Sequence, residues 1–484
     1  ARQMNTIYSA LTQPEESLTV SFCENGGSSR PSFIFTGIGQ ILGVKPQYVG
    51  DDIKREAISP CFELAAAGDH EAEKFFMNRP EWRDRLSLVK NAASIPRGRL
   101  SVSSAGKLYS KDINITATRV DKYRSCKFAY FLQYGLKVKP RVKATFQAPE
   151  AGTFIHYILE NVTRDVMAAG GFENTNRDEI ERITEKHTRA YIESALDGFK
   201  DKSKRFVYLF GRLVKDAVSI ACAMAEELSS SDFVPLDFEL MFSKGGDMPP
   251  AVVTDGDSQV TVNGKVDRVD GWIHDGKLYV KVVDYKTGLK EFSLSDVLNG
   301  IGLQMLIYLF VLQKKGKIRY DAEIVPAGVL YMPAREVILS MDRNSTDGDI
   351  EKQRAKSLRR HGLLLNDGDV IEAMEHGSTP KYIPVKFNKD GDAQGDSLVD
   401  AEKFGILSRH IDSVLLDMGK SLRNGEISAD PYFKNSLDNA CLYCDYYEAC
   451  HFGDDKADHV RYISKLRPGQ VWDKMRQKEE SDGR

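Results

Sequence analysis

Apolar and polar positions change their period along the chain, and the changes mark out its elements. Between residues 51 and 93 apolar side chains recur at helical spacing, around 62–67 and again around 71–77. A helix is predicted to start at Thr118 with Asp121 three residues on, close to a capping box; Tyr123, Cys126, Tyr130 and Tyr134 then share one face. Further helices are predicted after Gly152, over 176–196 and over 206–228. From Gln259 the period drops to two, the pattern of strands. A helix over 295–313 and a short apolar strand over 327–332 follow. Strands, helix, strand in that order predict an α/β core with a parallel crossover. Residues 341–397 are polar and loop-rich with a helix near 349–360, and a last long helix is predicted over 401–424. Before all this, 17–23 reads as a strand and 25–31 as a polar turn. The Ser- and Gly-rich stretch 94–110 predicts a domain boundary.

Composition narrows the classes. The 484 residues are 42% hydrophobic and 28% charged, the mix of a soluble globular protein of several domains. No apolar run approaches the roughly 18 residues of a membrane span, and the N-terminus lacks a secretion signal, so a cytoplasmic protein is expected. Sixty-seven basic against 70 acidic residues exclude a globally basic coat but leave room for a local patch. Of seven cysteines, Cys23, Cys61, Cys126 and Cys222 stand alone, while Cys441, Cys444 and Cys450 crowd into ten residues. An odd count with such clustering favours metal over disulfides.

The most informative stretch is 264–288. Asp275-Gly276 signals a two-residue hairpin turn between alternating segments. A turn there places Asp270 opposite Lys281 and Trp272 opposite Tyr279, both favourable pairs. The other face brings Val269 to Val282 and Ile273 to Leu278, which reads as core, and on that apolar face Asp267 meets Asp284. Opposed carboxylates beside a core need compensation, either a raised pKa or a bound cation. Lys286 falls on the same side as Asp284, two residues along. Oxygen ligands so arranged suit Mg²⁺ or Mn²⁺, which polarise a phosphoryl oxygen and acidify water. Phosphodiester hydrolysis is the chemistry expected.

Asp267 with Asp284-Tyr285-Lys286 resembles the core of the PD-(D/E)xK nuclease superfamily, a restriction-endonuclease-like fold with a mixed central sheet flanked by helices. Two helical pairs resemble its RecB-like branch: Gly152-x-x-x-His156 and Gln304-x-x-x-Tyr308. The resemblance implies that His156, Asp267, Asp284 and the backbone carbonyl of Tyr285 hold the metal. It also makes Lys286 catalytic and sets Gln304 and Tyr308 near the scissile phosphate. Cys126 with Cys441, Cys444 and Cys450 resembles the iron–sulfur staple of the AddB family and its CRISPR-associated and flap-processing relatives, which implies a [4Fe–4S] cluster; the spacing itself leaves zinc open. Around Cys126, 117–136 is similar to the opening of the AddB nuclease domain, as are Gly362–Asp367, Lys381–Pro384 and Gly425–Pro431. Residues 8–16 resemble a degraded final superfamily-1 helicase motif, with Gln13 and Glu15 or Glu16 where arginines are expected. Residues 1–110 are therefore expected to be a helicase-like remnant, and 111–484 the nuclease domain. No Walker A loop is present: Gly419-Lys-Ser421 is preceded by Val414 where its first glycine would fall. A C-terminal fragment or a short relative that does not bind ATP is expected.

From 116 to 143 eight basic residues (Arg119, Lys122, Arg124, Lys127, Lys137, Lys139, Arg141 and Lys143) face one acid, Asp121, with aromatic residues interleaved. Such a mix can hold a single strand by charge and stacking; the contrary reading packs the aromatic rings around the cysteine centre. Arg119, Lys122 and Arg124 are the candidate DNA contacts. The resemblance implies an exonuclease that works with an AddA-type helicase–nuclease partner on unwound DNA ends in double-strand-break repair, cutting the 5′-ended strand. The alternatives are a silent DNA-binding scaffold of such a complex and a stand-alone CRISPR-associated type of nuclease.

Overall fold

The computed structural model describes residues 2–22, 31–47, 51–94, 98–139, 148–200, 202–256, 258–288, 291–335, 346–453 and 458–482. Cys23, the turn at 25–30, and Arg141 and Lys143 lie outside them. Two compact units divide at Ile95/Pro96. In the first, helices Ile58–Ala67, His70–Met77 and Pro80–Ser94 bury Cys61, Ala65, Ala72, Phe76 and Leu86. Asp69 caps the second of these, accepting from Ala72 N at 2.9 Å. Residues 17–22, expected as a strand, form no regular element.

The second unit is built on an eight-stranded mixed sheet. In chain order the strands of this sheet and the helices around them include β1 (Ile113–Thr116), α1 (Ala117–Ser125), α2 (Ala148–Ala168), α3 (Arg177–Ala195), α4 (Lys204–Ser229), β2 (Val234–Phe242), β3 (Ala251–Asp255), β4 (Ser258–His274), β5 (Lys277–Lys286), α5 (Gln304–Lys315), β6 (Glu323–Pro333), β7 (His361–Leu365), β8 (Leu398–Val399) and α6 (Ala401–Arg423). The strand path runs β1-β4-β5-β6-β7-β8, with β2 and β3 also paired to β4. The expected crossover is present: β5 and β6 run parallel, joined through α5. Thr116, two residues before the expected start, caps α1 by accepting from Arg119 N at 3.4 Å. The helix anticipated over 295–313 is two, because Gly300 and Gly302 take φ of +79° and +73° and so interrupt it. Gln304 thereby opens α5 instead of sitting mid-helix, and Gly302 N donates to Asp121 Oδ1 at 2.8 Å.

Side-chain alternation along β5 divides the core. Val280 and Val282 pack with α5 and α6, while Val283 and Tyr285 pack with α2, α3 and α4. Asp284, Tyr285 and Lys286 close β5 between these two helical layers. Among the described residues, no helix is long and apolar enough to cross a membrane.

Candidate metal centre and cysteine centre

The β4–β5 hairpin has the register read from its turn. Arg268↔Val283, Val269↔Val282, Asp270↔Lys281, Trp272↔Tyr279 and Ile273↔Leu278 are all paired. Leu278 is buried but Ile273, expected in the core, is 73% exposed at the hairpin tip. Paired residues end one step before Asp267 and Asp284. Instead of confronting its partner, Asp267 turns Oδ2 onto the backbone N–H of Tyr285 at 2.7 Å, a charge-assisted bond to the residue between the acid and the lysine. Asp267 and Asp284 are 8% and 5% exposed, so both carboxylates are held out of water. Lys286 forms an ion pair with Asp284 Oδ2, and its ammonium lies 5.5 Å from the centre of the Tyr331 ring.

His156 reaches this cluster from α2. Gly152, one turn earlier, faces Thr287, where an added Cβ would make ordinary contact 3.6 Å from Thr287 Oγ1. The imidazole places Nε2 3.1 Å from the Tyr285 carbonyl and Nδ1 3.3 Å from Asp267 Oδ1. Burial opposes its protonation, but the hydrogen bond and charge of Asp267, backed by Glu239 and Asp284, outweigh that and raise its pKa. The carboxylates thus favour the protonated ring.

Glu239 was not legible in the sequence. It comes from β2, with its carboxylate 4.0 Å from His156 Nδ1. His156, Glu239 and Asp267 each bring a ligand atom within 4.8 Å of the others. Hard carboxylate and carbonyl oxygens with one imidazole nitrogen form a donor set that fits Mg²⁺ or Mn²⁺.

Gln304 and Tyr308 share a face of α5, Gln304 half-buried and Tyr308 1% exposed. The Tyr308 hydroxyl donates to Asn263 O at 3.2 Å, and its ring stacks on Phe242 with centroids 4.9 Å apart. Gly264 leaves room for that hydroxyl: a Cβ there would fall 1.6 Å from it. Tyr308 therefore braces α5 against β4.

Cys126, Cys441, Cys444 and Cys450 line one recess with Phe128, Ala129, Tyr446 and Phe452. The four thiols, distant in sequence, converge in a largely apolar pocket, as a metal or cluster held by thiolates requires. Burial pushes the Cys126 thiol up to about 11, and burial together with the neighbouring Cys444 raises Cys441. Protein contacts join the same two segments. Asp430 Oδ1 accepts from Lys127 N at 2.8 Å, Phe128 N donates to Ser428 O at 3.1 Å, and Arg461 bonds the carbonyls of Arg124 and Ser125.

Sequence comparison decides the family. The model of the "PD-(D/E)XK nuclease superfamily" matches residues 114–451, the span that carries the carboxylates, the histidine and all four of these cysteines. The chain belongs to the PD-(D/E)XK nuclease superfamily. Among similar proteins, a subunit of an ATP-dependent helicase/deoxyribonuclease from Thermoanaerobacter sp. (strain X514) is 27% identical over 99% of this chain and 44% of its own length. The corresponding subunits from Clostridium kluyveri and Clostridium acetobutylicum, which carry the same name, are 32% and 29% identical, covering 82% and 96% of this chain. The chain spans 44%, 35% and 43% of the lengths of these three relatives.

Around this PD-(D/E)XK core the basic residues divide. Arg119 is half-buried with its guanidinium 4.7 Å from the Tyr134 ring centre, and Lys122 stands 5.7 Å from that of Tyr446. Arg124 turns inward, donating to Val414 O at 2.9 Å and packing beside Gly300. Lys127 pairs with Glu426 at 2.9 Å, whereas Lys137 and Lys139 are exposed. Beneath the nuclease strands lies a second feature that cross-strand pairing only hinted at. The Asp270–Lys281 pair, 3.6 Å apart, is fully buried with Arg268, which grips Asp270 through two bonds of 2.8 and 3.0 Å. Glu227 on α4 pairs with Arg360, and Arg268 lies 3.4 Å from the Tyr285 hydroxyl. Burial lowers the Lys281 pKa; it also works against the Glu227 carboxylate, whose pKa is nonetheless drawn down by Arg360, Lys281 and Arg268.

Proposed function

We propose that this chain is the nuclease part of an AddB-type subunit, a Mg²⁺- or Mn²⁺-dependent exodeoxyribonuclease that trims the 5′-ended strand of DNA ends opened by an AddA-type partner in double-strand-break repair. One observation supports it above the others: Asp267, Asp284, His156, Lys286 and the Tyr285 carbonyl converge at a strand end within a nuclease-superfamily domain. The names of the relatives agree with this reading.

Asp267, Asp284, His156 and the Tyr285 carbonyl would hold the cation. When bound, such an ion neutralises charge on the scissile phosphodiester and makes water more acidic. The residues contribute the rest. Lys286, tethered by Asp284, is sited to orient the attacking water and to offset charge growing on the phosphate. Asp267 anchors the Asp284–Tyr285 amide through the Tyr285 N–H, holding the backbone between the acid and the lysine. Gln304 opens α5 beside the phosphate path, with Tyr308 bracing it from beneath. Arg119 and Lys122 receive the single strand, and the four cysteines would hold a [4Fe–4S] cluster.

Asp284→Ala and Lys286→Ala should each abolish Mg²⁺-dependent cutting of end-labelled single-stranded DNA while keeping the wild-type melting profile. Full cutting by either variant would overturn the assignment.

A further inference from the structure

Glu239 stands where the β2–β4 ladder has a gap. Phe238 pairs with Arg268 and Leu240 with Val266, which puts Glu239 opposite Asp267, yet those two are not paired. Its backbone takes φ of +53°, the left-handed region that disfavours a residue with a Cβ. Opposite Asp267, its side chain lies on the metal-centre face. Oε1 lies 4.0 Å from His156 Nδ1, and Oε2 is held in an ion pair by Lys265. Strain retained at a carboxylate that touches no core suggests a task for it.

We propose that Glu239 is a positioning residue that acts through His156, accepting its Nδ1–H so that Nε2 stays directed at the cation seat. The proposal rests on the reading of this cluster as a divalent-cation centre. Without a cation both ring nitrogens are occupied, Nε2 by the Tyr285 carbonyl at 3.1 Å and Nδ1 by Asp267 at 3.3 Å. With Asp267 and that carbonyl committed to a cation, Nδ1 loses its nearer acceptor. A neutral imidazole ligating through Nε2 carries its proton on Nδ1, and a buried N–H requires an acceptor. Glu239 Oε1, 4.0 Å away, needs only a small shift to accept it, and Lys265 holds the other oxygen of that carboxylate. Outer partners of this kind are worth about 10–100-fold in metal affinity.

Glu239→Gly removes the carboxylate and suits the positive φ, so the fold is kept. Glu239→Gln keeps an oxygen that can accept the same proton. Mn²⁺ binding by the purified chain, read by electron paramagnetic resonance, should weaken about 10–100-fold in the glycine variant and recover most of its strength in the glutamine variant. In a His156→Ala background, Glu239→Gly should weaken Mn²⁺ binding no further. A full additional loss there, or a glutamine variant as weak as glycine, would mean that Glu239 contacts the ion itself and would overturn the proposal. Wild-type chain that binds no Mn²⁺ overturns the cation-centre reading beneath it; wild-type binding matched by the glycine variant overturns only the role given to Glu239.

Discussion

Gly264→Ala tests how the α5–β4 contact sets the site. The new methyl would sit 1.6 Å from the Tyr308 hydroxyl and 2.6 Å from its ring carbon, far inside contact distance, so the ring must leave its seat. Forcing a group into a packed core costs about 1–3 kcal/mol. The lost hydrogen bond to Asn263 O adds about 0.5–1.5 kcal/mol. Some relaxation is shared between the two, giving about 2–4 kcal/mol in all. At about 2.1 cal/mol/K per residue, unfolding a unit spanning residues 96–484 turns this into a drop in melting temperature of about 2–5 °C. Gly264 lies three residues before Asp267, and Tyr308 one turn after Gln304. A displaced ring therefore moves Gln304 relative to the carboxylates, and cutting should slow by about 10–100-fold. Calorimetry and a single-turnover assay on end-labelled DNA check both numbers. Tyr308→Leu added to Gly264→Ala should restore melting but not the rate. An alanine variant that melts and cuts like wild type would refute the brace.

Glu227→Gln should destabilise by about 3–5 kcal/mol, because Arg268, Lys281 and Arg360 would then face Asp270 alone in a dry site; a melting temperature within 1 °C or so of wild type would mean that water reaches the network. Cys444→Ser should lose the brown colour of an iron–sulfur protein yet stay folded at a lower melting temperature, since Asp430 and Arg461 still join the segments; stoichiometric zinc in colourless wild-type protein would replace the cluster with a zinc site. His410 on α6 is held neutral by burial and by Lys478, and its pKa is lowered against a 3.2 Å contact with Val297 O. Its contribution is complete above the ordinary histidine range and is lost as pH falls through the lowered value, so His410→Gln should flatten the fall in melting temperature as pH drops below the ordinary histidine range; parallel curves would contradict this. Replacing Arg119 and Lys122 with alanine should reduce the slope of log affinity for single-stranded DNA against log salt by about 0.7 per contact removed; an unchanged slope would take those residues off the binding face.

What the sequence made legible was local. The Asp275-Gly276 turn fixed the hairpin register, and with it the company of Asp267, Asp284 and Lys286. Resemblance to the RecB-like motifs pointed to His156 and Gln304, and the four-residue spacing set each on a helical face. The split of the 295–313 helix was within reach, since Gly300 and Gly302 fall two apart. Glu239 was not: nothing in a strand of alternating apolar residues announces a left-handed turn at a glutamate. The buried ions escaped for a different reason. Cross-strand pairing found Asp270 and Lys281, but only the packing of α4 and the segment at Arg360 reveals that the pair lies under a lid. Arg124 looked like its basic neighbours until α6 was seen to receive it.

The stitching of residues 124–128 to 428–461 bears on how the chain is made. A ribosome delivers Cys126 some three hundred residues before the cysteines and arginine that complete its surroundings. The nuclease unit therefore closes only once that later segment has emerged, its two distant stretches locking together in one late step. A product stalled before residue 428 would carry the acidic cluster on an unlatched frame. The strand end that gathers the carboxylates is thus synthesised well ahead of the clasp that ties residues 124–128 to 428–461.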